Sequence, residues 1–410
     1  MKAVRVGILV LVTFTVLAHG AVEGWSEAVL EVGAALLFLL WGVLVVTGRQ
    51  AVLRGSPLLW PLLAFAGFVL MQYLVRLTVY PYLTKIELLK LMAFVLLFFL
   101  AVQAFRTLRE WHNFVWFLLT LAFCVSVFAI IQHFTFNGKL YWIRELRFGG
   151  VPFGPYVNRN HFAGLIEVLV PPGLAILVLR AARRDLLPLA ALFTVLPIGA
   201  LFLSASRGGI VGFLVEVGVV VLLALRRRGA RRSLATGAVV VGLLAAALVG
   251  WLGVGAALER FAKFQSLEVS EARRLEMLKG SWRIFLDHPL AGTGLGTLIS
   301  VYPKYETLYD GKIVNHTHND YLEALAETGV VGAACCAAFL FLLFRVSFAQ
   351  LRLSLHPLEF AIRAGALAAC VGLLAHGVAD FNLHIPSNAL LFFLQAALAT
   401  AEIPAAVAAS

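Results

Sequence analysis

The sequence predicts an all-α polytopic membrane protein, and three observations carry that prediction. The chain of 410 residues is 61% hydrophobic and only 13% charged, with a mean hydropathy of +0.92. A soluble domain carries about 25% charged residues. Its apolar residues fall in runs near the roughly 20 residues that cross a bilayer. The basic residues cluster between alternate runs. No separate soluble domain is visible.

Twelve spans are expected, near 3–20, 28–47, 57–76, 86–105, 113–134, 161–180, 186–204, 208–225, 233–253, 320–345, 358–378 and 387–404. The first run, from Val4 to Leu17, lacks a small-residue cleavage site and reads as a span, not a signal peptide. Cytoplasmic loops collect Lys and Arg. With Lys2 and Arg5 inside, the inner loops hold Arg49 and Arg54; Arg106 and Arg109; Arg180, Arg183 and Arg184; Arg226, Arg227, Arg228, Arg231 and Arg232; and Arg345 and Arg352. Both termini then lie in the cytoplasm. Topology accounts for the arginine run at 226–232, so nucleic acid is not an expected partner. The four cysteines all sit in apolar runs and read as small packing residues, not as a disulfide frame or metal site.

The chain therefore divides into spans one to nine (1–253), a large outer loop (254–319) and spans ten to twelve (320–410). Within the loop, residues 270–286 read as an amphipathic helix with Leu275, Leu278, Trp282, Phe285 and Leu286 on one face. Asp287-His288-Pro289 stops it. Gly292-Thr293-Gly294-Leu295-Gly296 reads as a flexible turn, with no βαβ context for a dinucleotide site. The loop is nearly neutral, so individual arginines, not bulk charge, would bind anions. The Ala-rich C-terminal end reads as a frayed tail.

The chemistry is expected where polar groups meet the outer ends of spans, since ionisable residues at membrane depth are costly. Asn315-His316-Thr317-His318-Asn319-Asp320 opens span ten, with Asn315 and Thr317 as candidate caps and Glu323 and Glu327 following. A helix N-terminus favours a neutral imidazole, hence a proton acceptor. Plain capping is the competing reading. Ser204-Ala205-Ser206-Arg207-Gly208-Gly209 joins spans seven and eight, and Arg207 suits a bidentate clamp on phosphate. Val157-Asn158-Arg159-Asn160-His161 opens span six in the same style, with binding and capping both open. Arg273 and Arg274 form the best cationic pair of the loop. Asp380, Asn382 and His384 also face outward, between spans eleven and twelve, whereas His288 reads as structural. The histidines lack the spacing of a zinc motif, so no metal and no cofactor is expected.

His318-Asn319, followed after nine residues by Gly329 and then by Gly332, resembles the signature of bacterial O-antigen ligases. The order of parts is similar to that of the superfamily, which includes O-antigen polymerases and protein O-oligosaccharyltransferases. The segments Val157–Gly164, Ser206–Gly209 and Asp287–Leu290 are similar to segments of that superfamily too. The resemblance covers roughly residues 150 to 390, and Leu278 stands where many relatives carry Trp. It implies a GT-C-like glycosyltransferase of the bacterial inner membrane with its site facing the periplasm. Such an enzyme moves a glycan from undecaprenyl diphosphate to a lipid A–core sugar hydroxyl in lipopolysaccharide biosynthesis. His318 is then the base. Arg207 and Arg274, with Arg159, bind the diphosphate, while His161, His316, Arg273 and Asp380 are secondary candidates. A polysaccharide polymerase or a protein glycosyltransferase is the alternative within the class. A transporter of lipid-linked glycan is the alternative outside it, although no inverted repeat is visible.

Overall fold

A computed structural model describes residues 1–48, 53–146, 151–227, 271–309, 311 and 313–403. The expected span at 233–253, much of the outer loop before residue 271, and the tail from 404 lie outside the described residues. The described chain is helical, with only isolated β-bridges and no strand. Its helices are α1 Lys2–Leu17, α2 Gly24–Val46, α3 Leu59–Leu74, α4 Pro81–Ala104, α5 Leu108–Phe134, α6 Arg159–Leu169, α7 Pro171–Val178, α8 Leu187–Leu203 and α9 Arg207–Leu225. They continue with α10 Glu271–Asp287, α11 Leu298–Val301, α12 Asp320–Leu353, α13 Pro357–His376 and α14 Pro386–Thr400.

Helix thus stands wherever a span was expected among the described residues. Among the described residues, six helices are long and apolar enough to cross a membrane, or seven if the bent pair α6–α7 counts as one span. The helices α3 and α8 are apolar but shorter. Pro171-Pro172 accounts for the 43° bend between α6 and α7, because neither proline can donate to the preceding turn.

The basic loops meet at one end of the bundle. Arg5 pairs with Glu110 at 2.5 Å and donates to the Ala104 carbonyl at 2.8 Å. Arg54 donates to the carbonyls of Arg106 and Glu402, Arg363 to that of Ala401, and Arg227 to that of Leu355. At the other end Ser387 N donates to Gly20, Tyr141 to Leu17, Val79 N to Thr293 and Asn319 to Val378. The candidate residues lie at this second end.

Three local expectations are corrected. The glycine-rich turn is held, not flexible. Gly292, Gly294 and Gly296 all have positive φ, and the turn packs into a break in α12. Thr293 N and Gly294 N donate to the carbonyls of Ala326 and Glu327, and Val330 N donates to that of Pro289. Helix α10 is buried through Arg273, Met277, Ser281 and Ile284, whereas Leu275, Trp282 and Leu286 of the expected core face are exposed. An exposed apolar stripe beside a membrane bundle suits the lipid interface, where burial comes from lipid and not protein. Lastly, the cap of α12 is Asn319, not Asn315 or Thr317: its side chain accepts from Leu322 N at 2.8 Å. Cys124 is exposed and Cys370 buried, and all four cysteines are free.

Candidate active site

Asn319 stops the chain short of α12 and leaves His318 outside the helix, at φ +56°. A histidine in the left-handed region is uncommon and needs its surroundings to hold it. Asn319 Nδ2 donates to the Val378 carbonyl, and Asp320 N to the Gly377 carbonyl at 2.9 Å. Thr317 is pinned on both sides. Its N–H donates to Glu323 Oε2 at 2.7 Å, and its hydroxyl meets Ser281 of α10 at 2.8 Å.

Those bonds bring the histidine stretch onto the loop after α13. His318 Nδ1 lies 3.2 Å from Asp380 Oδ1. Asp380 is buried and also accepts from Phe381 N at 2.9 Å. Burial works to raise its carboxyl, but the His318 hydrogen bond and the charges of His161, His318 and His376 outweigh it and hold the group below its ordinary range. A carboxylate on Nδ1 fixes the imidazole so that Nδ1 carries the proton and Nε2 presents its lone pair. The group that orients His318 is thus the Asp380 carboxylate, and not the helix N-terminus.

Phe381 is the hub that the sequence did not reveal. Its ring stacks on His316 at 4.3 Å and meets His318 and His161 edge-on at 4.9 and 4.8 Å. Behind it, His316 Nδ1 lies 2.7 Å from Glu323 Oε1, and His384 lies 2.9 Å from Asp320 and 3.3 Å from Glu323. Burial alone would lower the His384 imidazole, yet Glu323 and the Asp320 hydrogen bond raise it to about 10. His384 is therefore a cation that offsets two carboxylates. His316, Glu323 and His384 offer ligand atoms within 4.8 Å of one another. Those atoms already pair among themselves, so ion pairing satisfies the group as it stands.

The arginines divide. Arg207 is the first residue of α9, behind the cap Ser206, whose hydroxyl accepts from Gly209 N at 3.2 Å. Arg207 is exposed and holds no partner within the described residues. Its neighbour Gly208 lies against His376, four residues before Asp380: a Cβ there would fall 2.5 Å from the ring. Arg274 is half-buried, and its Nε is buried without a hydrogen-bond partner among the described residues. It sits seven residues before Ser281, two turns along the same face. Arg273 is instead buried and paired with Glu306 at 2.5 Å, and it also binds the Leu308 carbonyl. Arg159 and His161 are buried at the start of α6, which Asn158, not Asn160, caps. Asn388 holds the His161 carbonyl at 2.9 Å.

A cavity of about 400 Å³ opens beside this group. Phe65, Phe94, Phe339 and Phe393 line it, with Asp320 and His384 at one edge. Lys90 and Glu87, paired at 2.6 Å, stand at another.

Residues 192–337 match the family model described as O-antigen ligase. Over this third of its length the chain is similar to that family. The O-antigen ligase match runs from within α8 to within α12 and takes in Arg207, Arg274, His316, His318, Gly329 and Gly332; His161, Asp380 and His384 lie outside it. No curated protein matches the chain. The family indicates an enzyme of the ligase and glycosyltransferase kind, with a lipid-linked glycan and an acceptor as its general substrates. The resemblance read from the signature is borne out.

Proposed function

We propose that the protein is an O-antigen ligase of the bacterial inner membrane, acting at the periplasmic face. It transfers a glycan from undecaprenyl diphosphate to a hydroxyl of lipid A–core. The observation that carries this reading is the Asp380–His318 pair, which leaves His318 Nε2 as a fixed proton acceptor. His318 Nε2 takes the acceptor's proton as the hydroxyl oxygen attacks the anomeric carbon. The bond from that carbon to the diphosphate oxygen breaks, and the diphosphate leaves with the electron pair. Arg207 and Arg274 meet its growing charge, which supports the transition state more than the ground state. Arg159, the first residue of α6, is the third candidate for the diphosphate. The aromatic cavity suits a polyprenyl or acyl chain, whose burial is worth about 0.8 kcal/mol per methylene.

The basic end of the bundle supports placing that end in the cytoplasm. A lipid-linked glycan polymer made by the same machinery would differ only in the acceptor. The test is transfer by purified protein in nanodiscs, with carrier-linked glycan as donor. The expected result is product on lipid A–core; product on carrier-linked glycan, or on protein alone, would reassign the acceptor. Donor binding with no product from any acceptor would sink the reading in favour of transport.

A further inference from the structure

Glu167 of α6, Glu216 of α9 and His376 of α13 form a second polar group that the proposed reaction does not use. All three are buried, the two carboxylates at 0% exposure. Counted by about 1.5 Å per residue, Glu167 lies roughly 12 Å and Glu216 roughly 14 Å along their helices from the site end. His376 Nδ1 is 2.9 Å from Glu167 Oε2. The remaining atoms, Glu167 Oε1, both oxygens of Glu216 and His376 Nε2, have no hydrogen-bond partner among the described residues.

Glycines on the facing helices make the room. A Cβ on Gly212 would fall 2.3 Å from Glu167 Oε1, and one on Gly372 would fall 2.2 Å from Glu216 Oε1. One on Gly208 would fall 2.6 Å from His376 Nε2. Gly212 and Gly372 also meet each other, at 3.0 Å from Cβ to carbonyl. The acids therefore sit against bare backbone where α9 crosses α13.

An unpaired carboxylate buried in a membrane costs several kcal/mol and escapes that cost by binding a proton. One imidazolium offsets one carboxylate, and Glu167 has that partner. Glu216 has none. The other groups acting on the trio are Asp380 on Glu167 and His376, and Asp320 on His376. Both are acids, and Glu216 faces Glu167 and the thiol of Cys370. His161 lies on α6 one side of the group, and Arg207 stands exposed at the far start of α9.

We propose that Glu216 carries a bound proton and that Glu216, Glu167 and His376 form an intramembrane proton site behind the Asp380–His318 pair. The link is short: Asp380 N donates to the His376 carbonyl at 3.1 Å. The occupancy of this site thus sets the charge at the back of Asp380.

Infrared difference spectroscopy on the full chain in nanodiscs at neutral pH tests it. Wild type minus Glu216→Gln should show the loss of one protonated carboxylic C=O band, and the band should shift in D₂O. Glu216→Asp, the second variant, keeps an acid there and should move the band without deleting it. Only carboxylate bands in either difference would overturn the proposal. So would a protonated band that appears only when Na⁺ is withdrawn, since the site would then hold a cation. The link to the pair rests on the proposed function and has its own readout. Glu167→Gln should shift the acid limb of the pH–rate profile; an unmoved profile overturns the link. Absence of transfer in wild type with the band present would count against the reaction alone.

Discussion

Two histidines separated by one residue have different partners. His318 meets a buried carboxylate and keeps Nε2 open, whereas His316 stacks on Phe381 and spends Nδ1 on Glu323. A general base contributes roughly 10²–10⁴-fold to rate. His318→Ala should therefore abolish detectable transfer while donor binding persists, and His316→Ala should lose far less. If His318→Ala also loses the donor, the residue is a diphosphate ligand. Asp380→Asn should lower turnover at unchanged donor affinity, because the amide no longer selects the tautomer. Arg207→Lys keeps the charge but not the planar fork, so it should still cost activity. Arg274→Ala should match Arg207→Ala in lost donor affinity. Arg273→Ala should lose fold stability first, because it unpairs the half-buried Glu306. His384 offers a check by pH. Its folded value near 10 lies above the ordinary histidine value of about 6.5, so its stabilisation is complete below the latter and vanishes as pH rises through the former. Thermal stability should fall between neutral pH and about pH 10, and His384→Gln should flatten that fall.

Helix α12 shows what an element adds to a motif. Gly329 breaks it at φ +58° and ψ −163°, a region open essentially to glycine. A Cβ there would lie 2.4 Å from the Leu290 backbone. The break lets the turn at 289–294 dock, and Glu327 then caps α11 through Gly296 N and Leu298 N at 2.8 and 2.9 Å. Gln72 of α3 clamps the same junction through the carbonyls of Ala291 and Glu327. The second half of the signature is thus a joint that fixes the loop against α12. Gly329→Ala should cost at least the backbone strain of about 1–3 kcal/mol. Thermal melting and limited proteolysis near residue 290 would record it, and an unchanged melt would show that the joint can relax.

Across the whole molecule, the two ends differ in charge and in task. Cysteine introduced at Leu355 by the basic end should label only from the cytoplasm, and at Tyr309 of the loop only from the periplasm, in a chain stripped of its native cysteines. Both positions are exposed. The opposite pattern would put His318 in the wrong compartment. The His316, Glu323 and His384 group makes chelation worth testing. Transfer is expected to survive it, because arginines meet the diphosphate charge; loss rescued by a divalent ion would assign that group a metal.

Hydropathy and loop charge determined the helical class, the position of each apolar helix among the described residues and the end where the basic loops gather. Both are properties of local composition, and burial in lipid is decided segment by segment. The signature at His318 and Gly329 also marked a helix start and a glycine-only break, because both are local demands. What the sequence could not determine is which polar groups meet. Asp380 lies 62 residues from His318, and Glu167 lies 209 from His376. Phe381 carries no sign of its three histidines, and the exposed stripe of α10 reads as core until its neighbours are known. Helix packing alone brings those residues together, since a partner across the bundle leaves no periodicity in the chain that supplies it.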